Sequence, residues 1–215
     1  MVFTLNHFVF LLQGAVWTIV LALIGFLGGG VFGIVIALMR VSRSRIVSGI
    51  AGLYVQIIQG IPLPVLMFLS YFGLSITGVD VPALVAAGTS MTIYASAFLG
   101  EIWRGSIQSV PKTQWEAADS LALSGVQKMR DVIIPQAVRL SIPPTMGFSV
   151  QIIKDTSYSV VIGFIELTQS GKLVNNAIFE PFVVYTLVGA IYFILCSPLS
   201  YASRRLEARL RARGA

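Results

Sequence analysis

Three ionisable side chains, Glu101, Lys154 and Asp155, stand inside long apolar stretches of this sequence. Where such a stretch crosses a membrane, a charge near the helix centre costs about 2.5–3.5 kcal/mol, so it faces protein or water. Lys154 and Asp155 point about 100° apart on a helix and therefore cannot simply pair with each other. A polar group on a neighbouring helix would satisfy either charge, and so would a ligand that presents a carboxylate to Lys154 or an ammonium group to Asp155. Glu101 has a local candidate partner in Arg104, three residues on.

The sequence QGIPLP, residues 59–64, interrupts another apolar stretch with a glycine and two prolines. Irregular backbone at membrane depth persists only where it is buried in protein or lines a cavity, and broken helices often line transport sites. A kink that only shapes helix packing would leave the same pattern. The candidate substrate path therefore comprises six residues: Gln59, Gly60, Pro62, Glu101, Lys154 and Asp155.

Composition argues against several other kinds of site. His7 is the only histidine, which excludes a multi-histidine metal site and argues against a histidine-based catalytic triad. Cys196 is the only cysteine, so an intrachain disulfide is excluded, and its apolar surroundings are typical of a small buried side chain. The adjacent Gly28, Gly29 and Gly30 indicate close approach of helices rather than a phosphate-binding loop. Without such a loop the chain is not expected to hydrolyse ATP by that route, and it is predicted to bind no metal or cofactor of its own.

The apolar stretches are the elements that must position these residues. Hydrophobic residues make up 56% of the chain and charged residues 11%, against roughly 25% charged in ordinary soluble domains, and the mean hydropathy is +0.85. Because a spanning helix needs about 20 largely apolar residues, we predict an all-α membrane protein with five transmembrane helices in one domain, residues 1–215. The predicted spans are residues 8–39, 48–74, 81–103, 142–165 and 182–201. The first is long enough to tilt or to extend beyond the lipid.

The placement of Lys and Arg predicts the orientation of these spans, because such residues are enriched in cytoplasmic loops. Thirteen of the 15 basic residues follow the first, third or fifth span: Arg40, Arg43, Arg45, Arg104, Lys112, Lys128, Arg130, Arg139, Arg204, Arg205, Arg209, Arg211 and Arg213. The opposite connections hold Lys172 with Asp80, Glu166 and Glu180. We therefore predict an N-terminus outside and a C-terminus inside. The net charge of +6 then reflects topology and contact with anionic membrane lipid, and no nucleic-acid partner is expected.

The longest connection, residues 104–141, carries two patterns that start helices. TQWE (residues 113–116) and SGVQ (residues 124–127) are capping-box sequences, in which the first side chain caps an amide three residues on and the fourth reaches back. Pro111 precedes the first cap, and Pro135 is expected to bound the second helix. We predict two short helices that form a cytoplasmic hairpin, although a loop lying on the membrane surface without a partner would show the same spacing. Three residues would share one face of the first helix: Trp115, Ala118 and Ala122.

EAADSLALSGVQKMRDVIIP, residues 116–135, resembles the EAA loop of ABC importer permeases, whose pattern is E-A-A, three residues, Gly, nine residues and I-x-L-P. Four further segments resemble the permeases of polar amino-acid importers: GEIWRGSIQSVPKTQWEAA, IIPQAVRLSIPP, IIKDTSYSVVIGFIELT and YVQIIQGIPLPVLMFLSYFGL. The resemblance covers nearly the whole chain and is strongest over residues 94–168. It implies a permease subunit for histidine, arginine, glutamine, glutamate or a similar solute.

The resemblance also implies a set of partners. Such permeases pair with a second permease subunit, identical or homologous, and sit on two cytoplasmic ABC ATPase subunits that use ATP and Mg²⁺. An extracytoplasmic binding protein delivers the amino acid, and the complex lies in the bacterial cytoplasmic (inner) membrane. The chain itself is therefore expected not to be an enzyme. Its first loop helix would dock into a cleft on the ATPase through six coupling residues: Thr113, Glu116, Ala117, Ala118, Ala122 and Gly125.

Three positions depart from the family pattern. Ala122 stands where the EAA pattern has glycine, so the chain is expected to break three residues later, at Ser124 and Gly125, where a cap and a permissive residue coincide. Gln59 stands where family members often have arginine, and Thr113 stands where glycine is common. These departures bear on the angle of docking and on the substrate contacts.

Other classes of function account for less of the sequence. An intramembrane enzyme would need a nucleophile and a base at depth, and no histidine or aspartate pair supplies them. A self-contained secondary transporter usually carries internal repeats, and none is visible. The alternative that is left is an ion-coupled or passive oligomeric amino-acid channel or transporter without an ATPase, although a channel would not need a capped cytoplasmic hairpin.

Overall fold

Helices dominate the structure, a computed structural model that describes residues 3–76 and 78–214. The side chains of residues 210–214 are not included, so those of Arg211 and Arg213, which contributed to the predicted orientation, lie outside the described residues. The helices are α1 (Leu5–Arg40), α2 (Arg45–Gly60), α3 (Leu63–Ile76), α4 (Ala83–Gln108), α5 (Lys112–Ser120), α6 (Gly125–Gln127), α7 (Ile134–Asp155), α8 (Leu167–Ile178) and α9 (Pro181–Gly214). The described part of the chain contains no strand, in agreement with the all-α prediction.

α1 and α4 pack along the centre of the fold, and glycines set the distance between them. A Cβ at Gly29 would lie 2.3 Å from the Cβ of Ala95, and one at Gly28 would lie 2.6 Å from the Thr92 Oγ1. Only a residue without a side chain allows helix backbones so close. The predicted role of Gly28 and Gly29 is confirmed, while the Cβ position at Gly30 meets only a neighbouring ring at 3.8 Å. The core beside this contact includes Leu21, Met67, Met91, Leu99 and Ile152.

α2 and α3 form one apolar stretch that bends by 97° between Gly60 and Leu63. Ile61 is extended, with φ −102° and ψ 126°, because the ring of a following proline disfavours the α-helical conformation. Pro62 then caps the start of α3. The interruption predicted at QGIPLP is therefore present, and it places α3 against α4 and against the segment that follows α7.

The fourth predicted span, residues 142–165, differs from the structure at both ends. The helical segment starts at α6, passes through a π-helical stretch (Lys128–Ile133) and continues as α7. Pro135 does not bound a short second helix, because it lies at the start of α7 directly after the π-helical stretch and the helical segment continues through it. After α7 the chain forms a 3-10 helix (Thr156–Ile162) and turns at Gly163, whose φ of 73° suits glycine.

α8 lies where sequence analysis predicts only a connection. Its buried face packs against α1 and α9 and consists of residues at helical spacing: Leu167, Ser170, Gly171, Val174 and Ile178. At 12 residues it is shorter than the roughly 20 that a span needs, so a search for spans passes over it. Glu166, which precedes α8, is fully buried and not an exposed loop residue.

By length and apolar composition, the described residues contain three helices able to cross a membrane: α1, α4 and Pro181–Arg209 within α9. A fourth is obtained when α2 and α3 are counted as one broken span. α7, which carries Arg139, Lys154 and Asp155, is not among them. The five predicted spans thus correspond to three or four strongly apolar ones and one helix of mixed character.

The bundle has two chemically different ends. At one end, the start of α1 packs with α8 and the beginning of α9 around Leu11, Val174 and Val184. At the other end, Arg40 at the end of α1 pairs with Glu101 near the end of α4. The loop between α4 and α7 continues from this second end, which is the one that sequence analysis predicts to face the cytoplasm.

Candidate substrate path and coupling loop

The break between α2 and α3 and the end of α7 line one cavity of about 380 Å³, called the Asp155 cavity below. Four of the six residues predicted for a substrate path are in its wall: Gln59, Gly60, Pro62 and Asp155. The other residues of the wall are Ile61, Leu63, Pro64, Tyr94, Gln151 and Tyr158. The fold therefore brings the broken helix and the buried carboxylate together from positions almost a hundred residues apart.

Asp155 is held in this wall with one oxygen satisfied and one not. Its side chain is buried, with 2% of the residue exposed. Gln151, one turn earlier on α7, donates a hydrogen bond from Nε2 to Oδ1 of Asp155 over 2.7 Å. The second oxygen, Oδ2, is shielded from solvent and has no hydrogen-bond partner among the described residues. A buried carboxylate oxygen without a donor is costly, and in a cavity wall it is suited to receive the ammonium group of a ligand.

Lys154 is separated from this site. Its residue is exposed, and it does not line the Asp155 cavity. Among the residues that the structure describes, it forms no ion pair. The two adjacent residues therefore diverge as helix geometry requires, and only Asp155 joins the helix break.

Glu101 lines a second cavity of about 470 Å³, called the Arg40 cavity below, whose wall is Arg40, Gly49, Gly52, Leu53, Val55, Gln56, Gln59 and Glu101. The predicted local pair is present, because Arg104 donates from Nε to Oε1 of Glu101 over 2.8 Å. Arg40 approaches the other oxygen, with 3.6 Å between its Nε and the Glu101 Oε2. Gln59 belongs to both cavities. Five of the six predicted path residues thus line one or both of two cavities that share Gln59, and Lys154 lines neither.

The first cap predicted in the long loop is wrong. α5 starts at Lys112 with Pro111 as its cap, and the Thr113 hydroxyl makes no capping hydrogen bond. A cap at Thr113 requires a helix that begins at Gln114, two residues later than observed, so Thr113 lies inside the first turn, where its side chain no longer faces the free amides. The second cap is present, since the Ser124 Oγ accepts from the Gln127 amide over 3.3 Å and the Gln127 Oε1 accepts from the Ser124 amide over 3.0 Å.

The sequence predicts the turn between the two arms of the loop at Ser124 and Gly125, but the structure has it at Ala122. Ala122 has a φ of 52°, in the left-handed region. The Leu123 amide donates to the Ala118 carbonyl over 3.2 Å, and the Ala122 amide donates to the Asp119 carbonyl over 2.9 Å. This is the Schellman arrangement, whose left-handed position is usually glycine, so the position of the pattern glycine is the turn itself even though alanine occupies it.

One face of α5 is covered and the other is open. Ala118 is 2% exposed, and Trp115 packs beside Ile133 and Ala137 of the second arm. An ion pair between Lys128 and Asp119 joins the end of α5 to the π-helical stretch. Ala122 is exposed and outside the helix, so it does not share the covered face as predicted. The open face presents Thr113, Glu116 and Ala117.

A family model described as the binding-protein-dependent transport system inner membrane component matches residues 29–212. The chain belongs to this family. A probable amino-acid ABC transporter permease of Bacillus subtilis (strain 168), YckA, is 33% identical over 94% of this chain and 90% of the relative. The glutamine transport system permease GlnP of Escherichia coli (strain K12) is 32% identical over 94% of this chain and 93% of the relative.

Solved structures agree with the family assignment. A crystal structure described as an amino acid ABC transporter with histidines has a TM-score of 0.89 and 31% identity, and the match covers 97% of this chain and 100% of that one. The inward-facing MetNI methionine ABC transporter matches with a TM-score of 0.76 at 21% identity over 92% of this chain and 95% of that one. Because its identity is only 21%, the second comparison shows similarity of fold alone.

The sequence patterns did not predict three polar residues of the Asp155 cavity: Tyr94, Gln151 and Tyr158. Gln151 carries a readable signal, because it precedes Asp155 by four residues and such pairs meet on a helix. Tyr94 lies on α4, and Tyr158 lies on the 3-10 helix that sequence analysis reads as part of a straight span. Their place in the wall depends on tertiary packing that no local pattern records.

Proposed function

We propose that this inner membrane component is the permease subunit of an ABC importer for polar amino acids, and that the Asp155 cavity is part of its translocation path. The observation that carries the proposal is the Oδ2 of Asp155, which is buried in a cavity wall at a helix break without a donor. The α-ammonium of an amino acid supplies such a donor, and an unpaired buried charge is otherwise strongly unfavourable. The relatives named as amino-acid and glutamine permeases support this substrate class.

Uptake by the purified complex in lipid vesicles tests the substrate site. With ATP supplied, the wild type is expected to accumulate arginine, glutamine or glutamate. Asp155→Asn is expected to lower the rate of uptake by about tenfold or more, because the loss of a contact that positions a substrate has effects of this order. Asp80→Asn is a suitable control, because Asp80 is an exposed carboxylate outside the cavity wall. An assembled Asp155→Asn complex with unchanged rate and unchanged selectivity would remove Asp155 from the path.

The proposal assigns ATP hydrolysis to partners. Two cytoplasmic ABC ATPase subunits use ATP and Mg²⁺, a second permease subunit completes the path, and an extracytoplasmic binding protein delivers the amino acid. The chain itself binds no cofactor in this scheme and is not an enzyme. The open face of α5 is the coupling surface, and its exposed Glu116, which has no side-chain partner among the described residues, is free to meet a basic group of the ATPase.

Replacement of Glu116 tests this coupling. Because the side chain takes no part in a cap, Glu116→Ala is expected to change stability by no more than about 0.5 kcal/mol, so the complex should assemble. Amino-acid-stimulated ATP hydrolysis is expected to fall. Asp131→Ala, which removes another exposed carboxylate of the same loop, is the control. Full transport by Glu116→Ala at normal expression would exclude a coupling role.

The proposed topology has five crossings of the bacterial cytoplasmic membrane, with the N-terminus outside and the C-terminus inside. α7 is the fourth crossing, and its mixed composition follows from its place beside the path, where polar residues face protein or water. Single cysteines at Ser75 and Lys112, in a chain whose Cys196 is replaced by alanine, test the orientation in sealed cells. The cysteine at position 75 is expected to react with an impermeant thiol reagent, and the cysteine at position 112 is not. Reaction of the cysteine at position 112 from outside would show that the topology is the inverse of the one proposed.

A further inference from the structure

One face of α2 connects the Asp155 cavity with the Arg40 cavity. Gln59 lines both cavities, and Gln56, Gly52 and Gly49 continue along the wall of the second. These four positions are spaced by three or four residues, so they lie on one side of the helix. From Gln59 to Gly49 the helix rises about 15 Å. A strip of amides and glycines therefore leads from the proposed substrate site to the charged end of the bundle.

The charged groups at the end of this strip are incompletely paired. The Arg40 Nε and the Glu101 Oε2 are both shielded from solvent, and neither has a hydrogen-bond partner among the described residues. They lie 3.6 Å apart, a distance that allows attraction but is too long for a hydrogen bond. Arg104 is engaged with the other oxygen of Glu101. One guanidinium N–H and one carboxylate oxygen thus lack hydrogen bonds on two residues that line the same cavity.

The position of the Arg40 side chain depends on α2. Its Nη1 approaches the Ser48 carbonyl at 3.5 Å and lies 2.8 Å from the place that a Cβ would take at Gly52. Glycine at this position therefore makes room for the guanidinium against the helix. Gly49, by contrast, has no atom within 4 Å of its Cβ position, so the cavity is open there.

We propose that the Arg40 cavity is a second binding station for the transported amino acid, with the carboxylate of the zwitterion at Arg40 and its ammonium at Glu101. This inference rests on the proposed function and adds a location and two recognition groups to it. Ion pairs at partly exposed positions contribute little to stability, so a zwitterion can replace the Arg40–Glu101 contact and then leave again. Once the amino acid has left, the Arg40–Glu101 contact forms again and closes the path. Gln56 and Gln59 offer hydrogen bonds between the two stations.

A side chain added at Gly49 tests whether the substrate passes this cavity. In Gly49→Leu the new side chain starts in open space, because nothing lies within 4 Å of the Cβ position. Gly189→Leu is its match, because Gly189 also lies inside a helix with nothing within 4 Å of its Cβ position but in no wall of either cavity. In vesicles containing the complete complex, Gly49→Leu is expected to reduce amino-acid uptake by about tenfold, since displacing a bound substrate by an ångström has effects of this order or larger. Gly189→Leu is expected to leave uptake near the wild-type rate.

Substrate protection gives a second readout that does not depend on transport by the leucine variant. In a Cys196→Ala background, a cysteine at Gly49 is expected to react several-fold more slowly with a thiol reagent when arginine, glutamine or glutamate is present during turnover. A cysteine at Lys112, in the loop, is expected to react at the same rate with and without amino acid. If the Gly49→Leu complex does not assemble, the protection measurement alone decides.

The outcomes separate this inference from the proposed function. A wild-type complex that takes up none of the three amino acids contradicts the proposed function and removes the station with it. A wild-type complex that transports, combined with unimpaired Gly49→Leu uptake or with no protection of the Gly49 cysteine, removes the station and leaves the Asp155 site standing. Impaired uptake in Gly49→Leu together with protection of the cysteine supports a station in the Arg40 cavity.

Discussion

Asp155 and Glu166 are both buried carboxylates on the two sides of the same 3-10 helix, and the structure treats them differently. Glu166 is fully buried, and both its oxygens accept hydrogen bonds: Oε1 from the Gln169 amide over 2.9 Å, and Oε2 from Thr18 over 3.2 Å and Tyr192 over 2.8 Å. Asp155 has a single hydrogen bond, and its other oxygen is orphaned in a cavity wall. The proposed substrate site therefore rests on the unmet hydrogen bond of Asp155 in a cavity wall and not on burial alone.

The satisfied carboxylate has a structural explanation. Glu166 caps the start of α8, where its charge also meets the positive end of the helix dipole. Thr18 belongs to α1 and Tyr192 to α9, so one side chain joins three helices. The Thr18 Oγ1 in turn accepts from the Leu167 amide over 3.2 Å. No comparable set of donors surrounds Asp155, so its Oδ2 can accept a hydrogen bond from a ligand.

The largest expected effect comes from breaking the satisfied site. Glu166→Gln replaces an oxygen that accepts hydrogen bonds by an amide nitrogen that donates them. At least one buried donor then loses its acceptor, which costs about 1–3 kcal/mol of unfolding free energy. Thermal unfolding of the purified complex is expected to show a lower Tm than for Glu180→Gln, whose carboxylate forms no ion pair among the described residues. An unchanged Tm in Glu166→Gln would mean that the three-helix junction does not support the fold.

Replacement of the unsatisfied carboxylate, Asp155, is expected to raise the stability of the complex, whereas replacement of Glu166 lowers it. Asp155→Asn, the variant expected to lose transport, removes a buried negative charge whose desolvation nothing in the described residues fully offsets. The acceptor for Gln151 is retained, so the substrate-free complex is expected to gain roughly 1 kcal/mol of stability, seen as a higher Tm. Gain of stability with loss of transport is typical of a residue kept for function. A lower Tm in Asp155→Asn, similar to that of Glu166→Gln, would place Asp155 with the structural carboxylates.

The same contrast shows which parts of the molecule are readable from sequence. Apolar runs, the QGIPLP interruption and the SGVQ cap are local patterns, and the structure contains each of them. The roles of Asp155 and Lys154 are not local, because adjacent charges on one helix face different surroundings once neighbouring helices pack. α8 escaped prediction because a short amphipathic helix lies between the length of a span and that of a turn. The end of α7 escaped because a 3-10 helix and a left-handed glycine continue an apolar run without continuing the helix.

The turn at Ala122 extends the comparison from side chains to backbone, with the smallest expected effect. The two hydrogen bonds of the Schellman arrangement are made, yet the left-handed conformation of Ala122 is strained for a residue with a Cβ, at a cost of about 1–2 kcal/mol. Ala122→Gly relieves that strain, while the greater freedom of glycine in the unfolded chain offsets about 0.4–1 kcal/mol of the gain. The net expectation is a rise in unfolding free energy of about 0.5–1 kcal/mol.

The control for this variant lies four residues earlier in the same loop. Ala118 is inside α5 and buried, so Ala118→Gly is expected to lower stability by about 1 kcal/mol, the usual cost of glycine in a helix interior. The two alanine-to-glycine changes should therefore shift the Tm of the complex in opposite directions. If both lower it, the left-handed turn is not at Ala122, and the break belongs at Ser124 and Gly125 as the sequence alone suggests. If only Ala118→Gly lowers it, the position of the pattern glycine is explained by backbone geometry, and alanine there is a tolerated strain beside the proposed coupling surface.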